Sequence, residues 1–330
     1  MTRLLARRLL AAIPTLLGVL TLVFVLVESA PGDPAANLLG GDRPVPKEVR
    51  ARIVAAYGLD RPPVERYLRW LGAVALRGEL GWSISRGRPV TRVLGEALPA
   101  TLLLAGAALL VHLAAGTALG VAMARWHGRW PDRALGAVGL VLYSLPAFWV
   151  GLMAILALSL GLGLFPPGAT HSVGAETWAP LRRALDLAWH LALPAGILGL
   201  TSAAALGRFV RSGILATLGE EFVRAARARG VGGSRLLLGH ALRSALLPAI
   251  TLLGLSLPVL VSGSLVTEVV FAWPGMGRLA FEAILARDVP VVLAATLLSA
   301  VLVIAGNVAA DLAMAAADPR IRAGRAGGGR

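Results

Sequence analysis

The sequence predicts an all-α membrane protein with six transmembrane helices and both termini on the cytoplasmic side. Three observations carry that prediction. First, 57% of the 330 residues are hydrophobic and 15% are charged, whereas about a quarter of a soluble domain is charged. Second, six stretches run for about 19 residues or more without Asp, Glu, Lys or Arg: 9–27, 97–124, 134–165, 187–207, 244–267 and 289–310. A bilayer core of about 30 Å needs roughly 20 helical residues, so each stretch is long enough to cross. Third, the 32 basic residues, all arginine except Lys47, fall unevenly between the two sides those spans define. Together these features exclude a disordered tail, a nucleic-acid-binding domain and an ordinary soluble enzyme.

The elements follow in order. Arg3, Arg7 and Arg8 precede the first apolar run, a pattern shared with secretory signals. At 19 residues the run exceeds a signal core, and Pro31 follows the nearest small-residue site, Glu28-Ser29-Ala30. We therefore read 1–29 as a retained helix. Segment 30–96 is rich in Pro, Gly and charge, then places apolar residues at 64, 67, 68 and 71 with Pro63 at a natural first helical position. It reads as an external cap with one or two short helices, with an interfacial helix lying on lipid as the alternative. The core, 97–315, holds five spans, and 316–330 is a tail. Pro146, Pro194 and Pro258 mark kinks within the spans.

With the N-terminus inside, the cytoplasmic segments carry 17 bases against 5 acids, a net +12 of the chain's +14. Eleven of the outside bases lie in the 30–96 segment, which is too long for the charge rule to count. The cytoplasmic segment 208–243 is the most informative. Glu220-Glu221 opens a helix, Arg227 and Arg229 close it in keeping with the macrodipole, and Gly230 suits the turn that ends it. A short, basic, independently capped helix held beneath the membrane reads as a docking element for a partner protein.

Within that helix, Arg224-Ala225-Ala226-Arg227-Ala228-Arg229-Gly230 resembles the Glu-Ala-Ala…Gly loop of the permease subunits of binding-protein-dependent ABC importers. The closer likeness is to the first permease of the oligopeptide/dipeptide/nickel group. Arg224 stands where the broad family has Glu, and Leu247-Pro248 comes later than in the broad pattern. Further matching stretches are Ile13-Pro14-Thr15-Leu16-Leu17-Gly18, Ala30-Pro31-Gly32-Asp33-Pro34, Tyr57-Gly58-Leu59-Asp60, Gly78-Glu79-Leu80-Gly81 and Leu98-Pro99-Ala100-Thr101-Leu102. Glu268-Val269-Val270-Phe271-Ala272-Trp273-Pro274-Gly275-Met276-Gly277 and Asp318-Pro319-Arg320 complete the series. Single matches are weak, but their order along nearly the whole chain is specific.

The resemblance implies a type I ABC importer permease fold in a bacterial inner membrane, and transport of short peptides. It also implies a second homologous permease, two ABC ATPase subunits and an external binding protein as partners. Nickel or another small solute remains open within the group. By position, the ATPase contact would centre on Glu221, Phe222, Ala225, Ala226, Arg229 and Gly230. Ser262, Ser264, Glu268 and Asn307 are candidates for the substrate pathway. Glu268, at the outer end of the fifth span, reads equally as a cavity-lining acid or a solvated one.

No enzymatic chemistry is expected. A phosphate-binding loop needs Gly-x-x-x-x-Gly-Lys-[Ser/Thr], and the sole lysine follows Pro46, so ATP would be bound by partner subunits and the chain needs no cofactor of its own. With no cysteine there is neither disulfide nor thiolate chemistry. His112 and His190 are lone imidazoles expected to make helix–helix hydrogen bonds, and no metal site is expected. An ion-coupled secondary transporter, the rival class, normally keeps buried acids on its pathway, and these span interiors have none. Trp273-Pro274-Gly275 reads as a tight external turn.

Overall fold

The computed structural model describes residues 2–29, 60–246 and 264–317. Most of the fifth expected span therefore lies outside the described residues, as do Ser262, Pro258, Leu247-Pro248, the first half of the cap and the Asp318-Pro319-Arg320 motif. Four described helices are long and apolar enough to cross a membrane: Leu10–Ser29, Val90–Arg125, Pro180–Leu218 and Val289–Ala309. A bent helix pair makes a fifth if it counts as one span. The chain forms two compact units, Met1–Thr101 with Pro274–Ile304, and Leu102–Trp273 with Ala305–Arg330.

In the first unit, α1 (Thr2–Ser29) is followed by α2 (Pro63–Arg77). Pro63 opens α2 as the spacing predicts; the helix closes at Gly78, in the left-handed region (φ 68°). Tyr67 is the buried anchor of α2. Its ring lies 4.9 Å from that of Phe24, and its hydroxyl is 2.9 Å from the Thr21 hydroxyl. Arg66 pairs with Glu28. One face of α2 thus packs on protein, while Val64, Leu68 and Leu76 stay exposed.

A two-residue hairpin, β1 (Trp82–Ser83) against β2 (Arg88–Pro89), leads into α3 (Val90–Arg125). The start of α3 packs Val90, Val93 and Leu94 against Met276, Leu279 and Ala283 of α9 (Met276–Leu285) and Val291, Val292 and Ala295 of α10 (Val289–Ala317). The hairpin is pinned by Asp288, which is fully buried. Its Oδ2 accepts from the Ser83 hydroxyl (2.6 Å), the Ser85 amide (2.9 Å) and the Ser85 hydroxyl (2.7 Å).

The second unit corrects one expectation. The charge-free run 134–165 reads in the sequence as a single kinked span. It is two helices, α4 (Trp130–Ser144) and α5 (Ala147–Ala154, continued as π-helix over Ile155–Gly161), bent by 103°. Pro146 is the cause: it has no N–H to donate, and its ring drives the residue before it out of the helical region. Leu145 accordingly sits at φ −82°, ψ 139°, which ends α4 outright. Pro194, by contrast, lies within the unbroken helix α6 (Pro180–Leu218).

α3 and α6 approach closely through small residues. A Cβ on Gly120 would stand 2.6 Å from the Val210 Cβ, and one on Gly199 would stand 2.7 Å from the Ala108 carbonyl oxygen. Within this contact His112 Nδ1 lies 2.9 Å from the Ser202 hydroxyl, the helix–helix bond expected of it. His190 instead bonds within its own helix, to the Asp186 carbonyl at 2.8 Å.

Candidate coupling site

α6 leads through Gly219 into α7 (Glu221–Ala228). Glu220 takes extended backbone at the N-cap, and its carbonyl accepts the amides of Val223 and Arg224. At the other end Gly230 adopts φ 83°, with its amide bonded to the Arg227 carbonyl and the Val231 amide to the Ala226 carbonyl. These are the paired bonds of a Schellman turn, which needs a left-handed residue where glycine stands. The turn carries its usual hydrophobic contact, Val231 packing with Val223, Ala226 and Leu236.

That packing sorts the six expected contact residues. Glu221, Phe222, Ala225, Arg229 and Gly230 are exposed, and Phe222 is 51% exposed despite its size. Ala226 faces the other way, 4% exposed, and with Val223 seats α7 on Leu236 and Leu218. Phe222, Ala225 and Arg229 recur at the i, i+3, i+7 spacing of one helix face. The seat continues into the protein. Leu218 also belongs to a cluster with Ile214 and Val210 of α6, Ala124 of α3 and Leu237 of the π-helical run Leu236–Ala241.

A second feature of this side has no counterpart in the sequence reading. Asp132, in the first turn of α4, is buried and receives a two-pronged bond from Arg211 of α6. Arg211 Nε donates to Oδ1 and Nη2 to Oδ2, each at 2.8 Å, and the Gly128 amide donates to Oδ2 at 3.0 Å. The Arg211 fork, aided by that amide, holds the carboxyl down at about 2, so the pair is fully charged at neutral pH. Asp132 is the one acid in a short arginine-rich turn next to Pro131, a signal that places it at a helix start but says nothing of Arg211.

Of the pathway candidates, Ser264 and Glu268 are both buried, one turn apart on the helical residues 264–270. Glu268 is not a solvated acid: its side chain is fully buried. Asn307 is half-buried on α10. The chain then turns, with the Trp273 amide bonded to the Glu268 carbonyl at 2.8 Å and the Trp273 ring fully buried. The loop 166–173 covers this turn. Its Ala169 amide bonds the Phe271 carbonyl at 3.0 Å, and Asp186 holds it through the Ser172 amide (2.9 Å), the Ser172 hydroxyl (2.6 Å) and His171 (3.0 Å). No group of three or more His, Asp or Glu side chains among the described residues is placed to hold a metal.

Several membrane-length helices, with a short capped basic helix following one of them, define an integral membrane protein. Residues 116–323 match the family described as binding-protein-dependent transport system inner membrane component, and residues 1–105 match the N-terminal family of such membrane components. The chain belongs to this family, as a multi-pass protein of the bacterial inner membrane. It is 39% identical over 316 residues to the oligopeptide transport system permease protein AppB of Bacillus subtilis, covering 96% of this chain and 98% of that one. It is 35% identical over 338 residues to the dipeptide transport system permease protein DppB of Escherichia coli K12 (98% and 99% covered). A glutathione transport system permease protein, GsiC of Salmonella paratyphi A, is 37% identical over 316 residues, with 96% and 97% covered.

Proposed function

We propose that this chain is one transmembrane permease of an ATP-driven importer, passing short peptides delivered by an external binding protein. It works beside a second, homologous permease and two ABC ATPase subunits, which bind and hydrolyse the ATP. The chain crosses the membrane six times with both termini inside, so α7 meets the ATPase from the cytoplasm. Relatives named for oligopeptide, dipeptide and glutathione transport favour a peptide cargo over nickel.

The observation that carries this reading is α7. It is capped at both ends, seated on its own hydrophobic cluster, and presents Phe222, Ala225 and Arg229 outward, which is the form a rigid contact needs. Ala225→Trp tests it. Because Ala225 is exposed, the new ring leaves the seat on Leu236 intact and obstructs only a docked partner. Reconstituted with its partner subunits, the variant should insert normally yet lose ATP-dependent dipeptide uptake. Uptake at the native rate would remove α7 from the mechanism. Dipeptide movement by the chain alone, driven by an imposed proton gradient, would instead favour an ion-coupled transporter.

A further inference from the structure

α7 is seated on Leu218 of α6, which packs in turn with Ile214 and Val210, but α4 has no contact of its own with the α7 seat among the described clusters. Three of the contacts between α4 and α6 differ in kind. A Cβ on Gly139 would lie 3.2 Å from the Ala204 Cβ, the Arg208 guanidinium lies 5.4 Å from the Tyr143 ring centroid, and Arg211 grips Asp132. From Ala204 to Arg211 is seven residues, about 10 Å of helix.

These contacts differ in what they resist. Gly139 against the Ala204 methyl is a contact of two small groups with no directional bond, which opposes separation more than sliding. The Arg–Tyr contact is loose and directed at a ring face. The Arg211–Asp132 fork has two parallel charge-assisted bonds whose geometry is lost by a shift of about 1 Å. It is sheltered, with the Asp132 side chain 7% exposed, and the same carboxylate clamps the α3–α4 turn through Gly128.

From this geometry we infer that Asp132 and Arg211 are positioning residues that lock α4 to α6 against sliding, so that a push on α7 moves both helices as one body. The inference rests on the permease reading above and names two residues that act in it without touching substrate or ATPase. Arginine is required for its fork, not only for its charge.

The chain's lack of cysteine makes the test clean. In proteoliposomes holding the full transporter and its binding protein, Asp132→Asn should lower dipeptide uptake per ATP hydrolysed by roughly three- to thirtyfold. ATPase subunits should still co-purify with the variant. A Gly139→Cys/Ala204→Cys pair places two Cβ atoms 3.2 Å apart, so a few tenths of an ångström of give reaches the roughly 3.5–4.5 Å of a disulfide. Oxidising that pair in the Asp132→Asn protein should restore uptake, and reduction should abolish it again. Oxidation in the protein with native Asp132 should leave uptake unchanged. The inference is overturned if the disulfide fails to rescue Asp132→Asn, or if it stops the native cycle, because the helices would then have to slide.

Arg211→Lys keeps the charge and loses the fork, so it serves even if the cysteine pair does not assemble. It should fall to the level of Arg211→Gln, and native uptake by Arg211→Lys also overturns the inference. Failure of the permease reading itself would show differently, as no ATP-dependent uptake by the unaltered chain.

Discussion

Gly120 offers a direct test of how α3 and α6 hold together. An added methyl would meet the Val210 Cβ at 2.6 Å and the Gly207 carbonyl oxygen at 2.7 Å. Unstrained carbons sit about 3.5–4.0 Å apart, so the helices must separate by about 1 Å. Neither obstacle rotates away, since one is backbone and the other is attached directly to it. Separation would also loosen the neighbouring contacts of Gly116 with Leu206 and of Gly207 with Leu119. Overpacking of this kind costs about 1–3 kcal/mol, against about 1 kcal/mol gained from replacing a helical glycine by alanine. Gly106 supplies the control: it lies on the same helix, is exposed, and has nothing within 4 Å of the place an added methyl would take. Gly106→Ala should therefore keep the propensity gain and lose nothing. The gain cancels in the comparison, leaving Gly120→Ala less stable than Gly106→Ala by about 1–3 kcal/mol, or roughly 2–6 °C in Tm. Thermal unfolding of both variants in the same detergent measures the difference. Equal melting temperatures would refute the close-packed contact.

Two further predictions concern the connections. Gly230→Val places a β-branched residue at φ 83°, costing about 1–2 kcal/mol in the turn that ends α7. It should weaken co-purification of the ATPase subunits while leaving membrane insertion normal. Asp288→Ala removes the acceptor of three hydrogen bonds and strands the buried Ser83 hydroxyl. The loss should be about 3 kcal/mol, measured as faster proteolysis between residues 82 and 89, and a hairpin as resistant as the native one would show that it is held by other means.

What the sequence revealed was local. Pro63, Glu220 and Gly230 announce their helix ends because caps depend on a few adjacent residues, and all three stand where the sequence reading placed them. A charge-free run declares its burial in lipid but not its direction, so 134–165 read as one span although Pro146 breaks it. The Ala225-Ala226 pair lies on α7, yet which alanine faces outward depends on Leu236, ten residues further on. Asp132 and Arg211 are 79 residues apart, and Ser83 and Asp288 are 205 apart. No periodicity joins such pairs, because they form only when separate helices have already packed.

Three buried acids share a pattern that follows from the emptiness of the spans. Asp186 and Asp288 directly precede charge-free stretches and Asp132 stands two residues before one, and each accepts a backbone amide from a nearby connecting segment. The donors are Gly128 at 3.0 Å, Ser172 at 2.9 Å and Ser85 at 2.9 Å. Within the apolar runs helices meet mainly through glycine, alanine and branched side chains, and His112 with Ser202 is a rare polar contact there. Shape alone resists separation better than it resists sliding or rotation, so helix registry must be set where hydrogen bonds are affordable, at the ends. A carboxylate there binds several donors in fixed directions, and its burial strengthens each bond. Removing charge from the spans thus moves the directional contacts into the connections.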